Sequence, residues 1–298
     1  MKANKLVEHN FGEFSKYIKN LNLESHLEFS ILSKEFLNTN PKFYLFYPKL
    51  FLSKEKVDDT FVDLLCISGY LYYQSVILMD TIIDEKDNSK YPLAIVCQEE
   101  SIKILTHIFG LNSNFWSLWN LRKFEFFKAV SLQNELIKKK NVSILEFETL
   151  SDFKSSFGKI AIDSIFTLQN NNDKRTYDQY INSHKYFSIG FQLLDDVNDF
   201  KIDKINNQFN FAVYELSKIV NFETYNNNEQ VLHKLLFIKN VGQNLLRKAI
   251  EYFESAENEI KDLNNEPWTD VIREMKSKVI NQLKITNQYI EELRNNKQ

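Results

Sequence analysis

The stretch Phe191-Gln192-Leu193-Leu194-Asp195-Asp196-Val197-Asn198-Asp199-Phe200-Lys201-Ile202-Asp203 decides how this chain is read. Asp195, Asp199 and Asp203 recur at i, i+4 and i+8. On an α-helix they share one face and form a carboxylate stripe about 12 Å long by helix rise. Leu193, Val197 and Phe200 form a separate stripe suited to a core. The residues leading in, Phe187 to Leu194, carry no charge. A solvated acidic helix face is the competing reading, but like charges four apart destabilise a helix by a few tenths of a kcal/mol. In apolar surroundings they take up protons unless a cation compensates.

A second acidic pattern lies upstream at Met79-Asp80-Thr81-Ile82-Ile83-Asp84-Glu85. Asp80 and Asp84 are also four apart, about 6 Å along a helix axis. They too follow an uncharged apolar run, Tyr70 to Met79. Mg²⁺ is the natural cation for both patterns, because it is hard, takes oxygen ligands and shares them with substrate phosphates.

The rest of the chain supports a helical scaffold. Of 298 residues, only 6 are glycine and 4 proline, too little turn punctuation for a sheet-rich fold. The hydrophobic share of 43% is ample for a large core. Helical periodicity predicts one or two helices over 5–38. A proline-broken apolar connection follows at Tyr44 to Phe51, then a long helix capped by Asp58 or Asp59 that carries Asp80. Further helices are predicted at about 92–109, 114–138, 145–170, 176–204, 229–262 and 267–296, with Pro92 and Pro267 in first turns. The expectation is one all-α domain over 1–298, of roughly ten helices, without repeats.

The net charge is −3, from 37 basic and 40 acidic residues well mixed, which leaves no nucleic-acid footprint. Cys66 and Cys97 alone make neither a disulfide framework nor a zinc site. Residues 1–21 have no apolar signal core, and no uncharged apolar run approaches the roughly 20 residues that span a bilayer. The expected location is the cytoplasm, with no transmembrane segment.

At the two acidic motifs the sequence resembles the trans-isoprenyl diphosphate synthases and the class I terpene synthases. Asp195-Asp196-Val197-Asn198-Asp199 matches the DDxxD of their second aspartate-rich motif, and Phe191-Gln192 before it and Asp203 after it also fit. Asp80-Thr81-Ile82-Ile83-Asp84 is similar to the first motif, with threonine for its second aspartate. The resemblance covers roughly residues 48 to 204. It implies a helical bundle around a deep apolar cavity, with Asp80, Asp84, Asp195 and Asp199 catalytic. Those four and Asp203 become ligands of several Mg²⁺ ions that hold a prenyl diphosphate and draw charge from its leaving group. Lys159 resembles the lysine that grips the diphosphate, and Lys154 is a second candidate. Gln192 and Phe191 are expected to contact substrate. Val76, Tyr72 and Tyr73 are expected to limit the depth available to its tail. The aromatic richness suits an allylic cation, with Phe157, Phe166 and Phe187 as further wall candidates, plain core packing being the competing reading for each ring. A homodimer is one assembly the resemblance implies.

The chain departs from the prenyl synthases where they bind a second substrate, isopentenyl diphosphate. It has Lys86-Asp87-Asn88-Ser89-Lys90-Tyr91 in place of paired arginine and glycine, and Tyr47-Pro48-Lys49-Leu50 in place of a Gly-Lys and an arginine. The first 121 residues contain no arginine, leaving Lys49, with Lys42 and Lys54, to neutralise a second diphosphate. From this the sequence favours a class I terpene-synthase-like lyase. A prenyltransferase is the alternative, and a catalytically silent partner subunit of a prenyl synthase is the third reading.

Overall fold

A computed structural model describes residues 2–52, 57–85, 87–170 and 173–295, with side chains for all of these but 2–4, 83–85 and 293–295. The described residues form fourteen α-helices joined by short turns, and no strand occurs among them. The all-α expectation holds. The chain divides into two compact units, residues 1–120 with 160–173 and residues 121–159 with 174–298.

The first unit contains α1 (Lys2–Asn20), α2 (Ser25–Ile31), α3 (Lys34–Thr39), α4 (Asp59–Glu85) and α5 (Tyr91–Phe109). The apolar connection expected at Tyr44 to Phe51 is a 3₁₀ stretch, Lys42–Phe51, that buries Phe43, Leu45, Tyr47, Leu50 and Phe51. Lys49 leaves this stretch to pair with Asp63 on α4 at 2.6 Å and to donate to Asn10 Oδ1 at 2.9 Å. Ser68 of α4 donates to the Ser101 carbonyl of α5 at 3.1 Å, and the Phe14 ring meets Tyr70 edge-on at 5.0 Å. These contacts, with Leu65, Leu71, Ala94 and Cys97 buried around them, hold α4 as the central helix of the unit. The window Asp59–Ile82, which includes Asp59, Asp63 and Asp80, is long and apolar enough to cross a membrane by length and composition alone; half of it is buried inside the protein.

The second unit is built on α9 (Lys174–Asn198), α13 (Val241–Glu259) and α14 (Glu266–Asn295), with α7 (Ile144–Lys154), α10 (Phe200–Asn206), α11 (Phe211–Ser217) and α12 (Glu229–Ile238) around them. α6 (Phe115–Lys138) and α8 (Ser156–Leu168) run across the boundary between the units. Gly190 lets α9 approach α13, since a Cβ there would sit 3.0 Å from the Ala249 carbonyl oxygen. Two polar links fix the contact. Ser183 donates to the Ala256 carbonyl at 2.8 Å and accepts from the indole of the fully buried Trp268 at 2.9 Å.

The structure divides several elements that periodicity reads as continuous. The predicted helix over 145–170 is α7 and α8, parted at Ser155. The one over 229–262 is α12 and α13, parted at Asn240, which has φ 60°. Among the described residues, every non-glycine position with positive φ is an asparagine: Asn22, Asn170, Asn207, Asn226, Asn227, Asn240 and Asn264. Asparagine tolerates the left-handed region better than other side chains do. In a chain this poor in glycine it takes over the task of ending helices.

Candidate functional site

The second aspartate motif sits where α9 ends. Asp199 departs from helical geometry at φ −91°, ψ 6° and begins α10. The backbone ladder nevertheless crosses this point: Asp199 N–H donates to the Asp195 carbonyl at 2.8 Å, and Asp203 N–H to the Asp199 carbonyl at 3.0 Å. The i, i+4, i+8 stripe therefore survives the break that the sequence reading did not place.

Burial raises the Asp195 carboxyl to about 6, and the neighbouring charges of Asp199 and Asp203 add to this against the opposing pull of Lys154. Asp199 is raised by partial desolvation and lowered by Lys154. A cation would relieve this crowding, so the donor set fits a hard divalent ion. Among the described residues, no three His, Cys, Asp or Glu side chains converge tightly enough to hold a metal by themselves.

Asp196, adjacent in sequence, has a different task. It is 3% exposed. It accepts from Gln192 Nε2 at 2.7 Å and from the Phe211 N–H at 2.7 Å, tying α9 to the start of α11. Burial raises its carboxyl to about 7 despite those two bonds. Gln192, expected to touch substrate, thus spends one Nε2 hydrogen bond on Asp196. Phe191 is half-buried, with its ring 6.2 Å from Phe187. Phe187 itself belongs to the core, against Trp268 at 4.7 Å and Phe253 at 5.5 Å.

The two lysine candidates are separated by their surroundings. Lys159 is 2% exposed. Its ammonium lies between Asp152 at 2.8 Å and Glu125 at 3.3 Å, and Glu125 in turn pairs with the buried Arg122 at 3.1 Å. It is a load carrier of the interior, joining α6, α7 and α8. Lys154, at the exposed end of α7, is the lysine whose charge acts on Asp195, Asp196 and Asp199. The family resemblance pointed first to Lys159, which is buried between carboxylates, whereas Lys154 is exposed beside the second motif.

In the first unit, Asp80 is exposed near the end of α4. Asp84 lies in the last turn of the same helix, its side chain outside the described residues, as is Lys54 altogether. The Thr81 hydroxyl donates to the Ile77 carbonyl at 3.0 Å. Val76 and Tyr72 are half-buried. Tyr72 meets Trp119 edge-on at 5.0 Å, and burial pushes its phenol to about 12. Tyr73 stacks on Tyr44 at 4.1 Å and donates to Asn40 Oδ1 at 2.6 Å, which ties it to the 3₁₀ stretch and α3.

No protein-family model matches the chain, and no curated protein does. Solved structures do match. A polyprenyl synthase from Caulobacter crescentus CB15, complexed with calcium and isoprenyl diphosphate, superposes with a TM-score of 0.73 at 10% identity, over 93% of this chain and 95% of that one. A decaprenyl diphosphate synthase from Rhodobacter capsulatus gives 0.71 at 11% identity, over 94% and 98%. A geranylgeranyl pyrophosphate synthetase from the archaeon Geoglobus acetivorans gives 0.68 at 15%, over 92% and 99%. At such identities the likeness establishes the fold: the chain has the all-α fold of these isoprenyl diphosphate synthases along nearly its whole length.

Proposed function

We propose that this chain is a divalent-metal-dependent prenyltransferase that joins isopentenyl diphosphate to an allylic prenyl diphosphate. The observation that carries the proposal is the stripe Asp195, Asp199 and Asp203, set at the end of a buried, firmly packed helix. It stands on a fold whose solved examples are named as prenyl diphosphate synthases, one of them bound to a divalent cation and an isoprenyl diphosphate. That company favours chain elongation over the lyase reading that the sequence put first.

Asp80, Asp84, Asp195, Asp199 and Asp203 are assigned to Mg²⁺, and Lys154 to the allylic diphosphate. Bound Mg²⁺ supplies Lewis-acid stabilisation of the departing diphosphate. The chain's own part is to fix the carboxylates, to keep one lysine beside them, and to shield the prenyl tail with α4 side chains such as Tyr72 and Val76. All of 1–298 is taken as one synthase domain.

One observation supports the lyase as a second reading. Lys49, the best-placed cation for a second diphosphate, is already paired with Asp63 at 2.6 Å, and no arginine precedes Arg122. Arginine makes the strongest bidentate grip on phosphate. The discriminating experiment incubates the protein with Mg²⁺ and C10 to C25 allylic diphosphates, with and without isopentenyl diphosphate, and identifies products by mass spectrometry. Elongated diphosphates only when isopentenyl diphosphate is present support prenyl transfer. Hydrocarbon or alcohol from the allylic substrate alone overturns it in favour of the lyase. No turnover overturns both and leaves the silent-subunit reading, to which Thr81 in the first motif points.

A further inference from the structure

The turn between α6 and α7 sets a run of lysines among exposed aliphatic side chains: Ile137-Lys138-Lys139-Lys140-Asn141-Val142-Ser143-Ile144-Leu145. Ile137, Ile144 and Leu145 are 38, 41 and 65% exposed, and all three lysines lie at the surface. Three lysines against Glu146 leave the segment 137–146 at +2, in a chain whose net charge is −3. A solvated lysine run is the plain alternative, but it gives no reason for three aliphatic side chains to stay in water around it. The turn is also held firmly. Val142 is buried; its N–H donates to the Tyr214 hydroxyl at 2.7 Å, and that hydroxyl donates to the Val142 carbonyl at 3.3 Å. A capping box follows, in which the Ser143 hydroxyl accepts from the Glu146 N–H at 3.3 Å and the Glu146 carboxylate accepts from the Ser143 N–H at 3.0 Å. Lys139 spends its charge on Glu146, so Lys138 and Lys140 carry the net charge of the turn. Tyr214 belongs to α11, whose Phe211 stacks on Phe147 of α7 at 4.4 Å. The turn is thus braced against the short helix that also ties down Asp196.

We propose that the α6–α7 turn docks on an anionic lipid surface, with Ile144 and Leu145 entering the boundary between headgroups and acyl chains and Lys138 and Lys140 meeting the lipid phosphates. The chemistry selects lipid over other anionic partners. Aliphatic tips insert among acyl chains while lysine stems snorkel beside them. A nucleic-acid site draws on aromatic rings for base stacking or on arginine forks for phosphate, and 137–146 contains neither. The proposal stands apart from the metal reading of the aspartate stripe.

The test is co-sedimentation of the full chain with vesicles of phosphatidylcholine alone and of equal parts phosphatidylcholine and phosphatidylserine. Binding is expected to the second kind only, and it should weaken with added salt. Each lysine near an anionic surface adds about fivefold to partition, so Lys138→Gln combined with Lys140→Gln should lower it about 25-fold. Leu145→Ser removes an inserting aliphatic group and should lower it about tenfold, and Ile144→Ser repeats that test at the neighbouring side chain. Lys248→Gln combined with Lys261→Gln, at two exposed lysines of the same unit, makes the same change in net charge and should bind like the parent. No sedimentation of the parent, equal sedimentation with neutral vesicles, or an equal loss in both lysine pairs overturns the proposal. So does parental binding by both serine variants. A parent that ignores vesicles overturns it too, and then dimerisation that Leu145→Ser abolishes, or retention of an RNA homopolymer through Lys138 and Lys140, assigns the turn to another partner.

Discussion

Replacing Lys159 separates an interior ion pair from a substrate contact. Lys159→Met keeps most of the aliphatic volume and removes the ammonium between Asp152 and Glu125, which face it at 2.8 and 3.3 Å. Arg122 still neutralises part of Glu125 at 3.1 Å, whereas Asp152, 8% exposed, loses its Lys159 partner. Breaking a buried pair by deleting one member costs about 3–5 kcal/mol. The entropy of unfolding is about 2.1 cal/mol/K per residue. If all 298 residues melt together, the melting temperature should therefore fall by roughly 5–8 °C, and by more if the second unit melts alone. Differential scanning calorimetry of the ligand-free protein reads this directly. Lys154→Met, at an exposed site, should leave the melting temperature within a degree or two but weaken binding of inorganic diphosphate with Mg²⁺. The reverse pattern, with Lys159→Met melting like the parent and failing to bind diphosphate, would refute the assignment and restore the role the family resemblance implies for Lys159.

Asp196→Asn should stabilise the ligand-free protein above pH 7 and leave it unchanged near pH 4. The folded carboxyl is raised from 3.8 to about 7, so the native state holds a proton that the unfolded chain releases, and stability drains away as pH rises between those values; melting temperatures across that range check it, and a shift of the opposite sign would contradict it. Val76→Phe should move substrate preference toward shorter allylic diphosphates and Tyr72→Ala toward longer ones, read as relative kcat/KM across C10 to C25; unchanged profiles in both would remove this face of α4 from the tail's path. Gly190→Ala should lower the melting temperature, because the new methyl meets the Ala249 carbonyl at 3.0 Å and forces α9 from α13; an unshifted transition would show that this contact yields freely.

Much of the scaffold was legible in the sequence because helical periodicity and proline position are local signals. The predicted 92–109 and 267–296 emerge as α5 (Tyr91–Phe109) and α14 (Glu266–Asn295) within a residue at each end. The breaks at Ser155, Asp199 and Asn240 are not legible in the periodicity, since the apolar pattern runs across them and the turns rest on single residues. Reading Asn240 as a glycine substitute would have found one of them. The spacing of the aspartates was enough to place the stripe, because it is a property of one helix. The division of labour between Asp195 and Asp196 was not readable. It depends on which carboxylate meets the Phe211 N–H from fifteen residues away. The same holds for the lysines: Lys154 and Lys159 are told apart by tertiary neighbours, Glu125 of α6 beside Lys159 and the second aspartate motif beside Lys154. Asn210, three residues before Val213, carries a helix-capping signature in the sequence itself.

Joint binding of metal and diphosphate at the second aspartate stripe is the central proposal. The melting temperature of the protein with inorganic diphosphate and Mg²⁺, each alone and combined, tests this most directly, because two ligands sharing one site stabilise the fold jointly. The combination should raise the melting temperature well beyond either component, and Asp199→Ala, folded when ligand-free, should lose the rise. A full rise in Asp199→Ala, or none in the parent, would contradict the account.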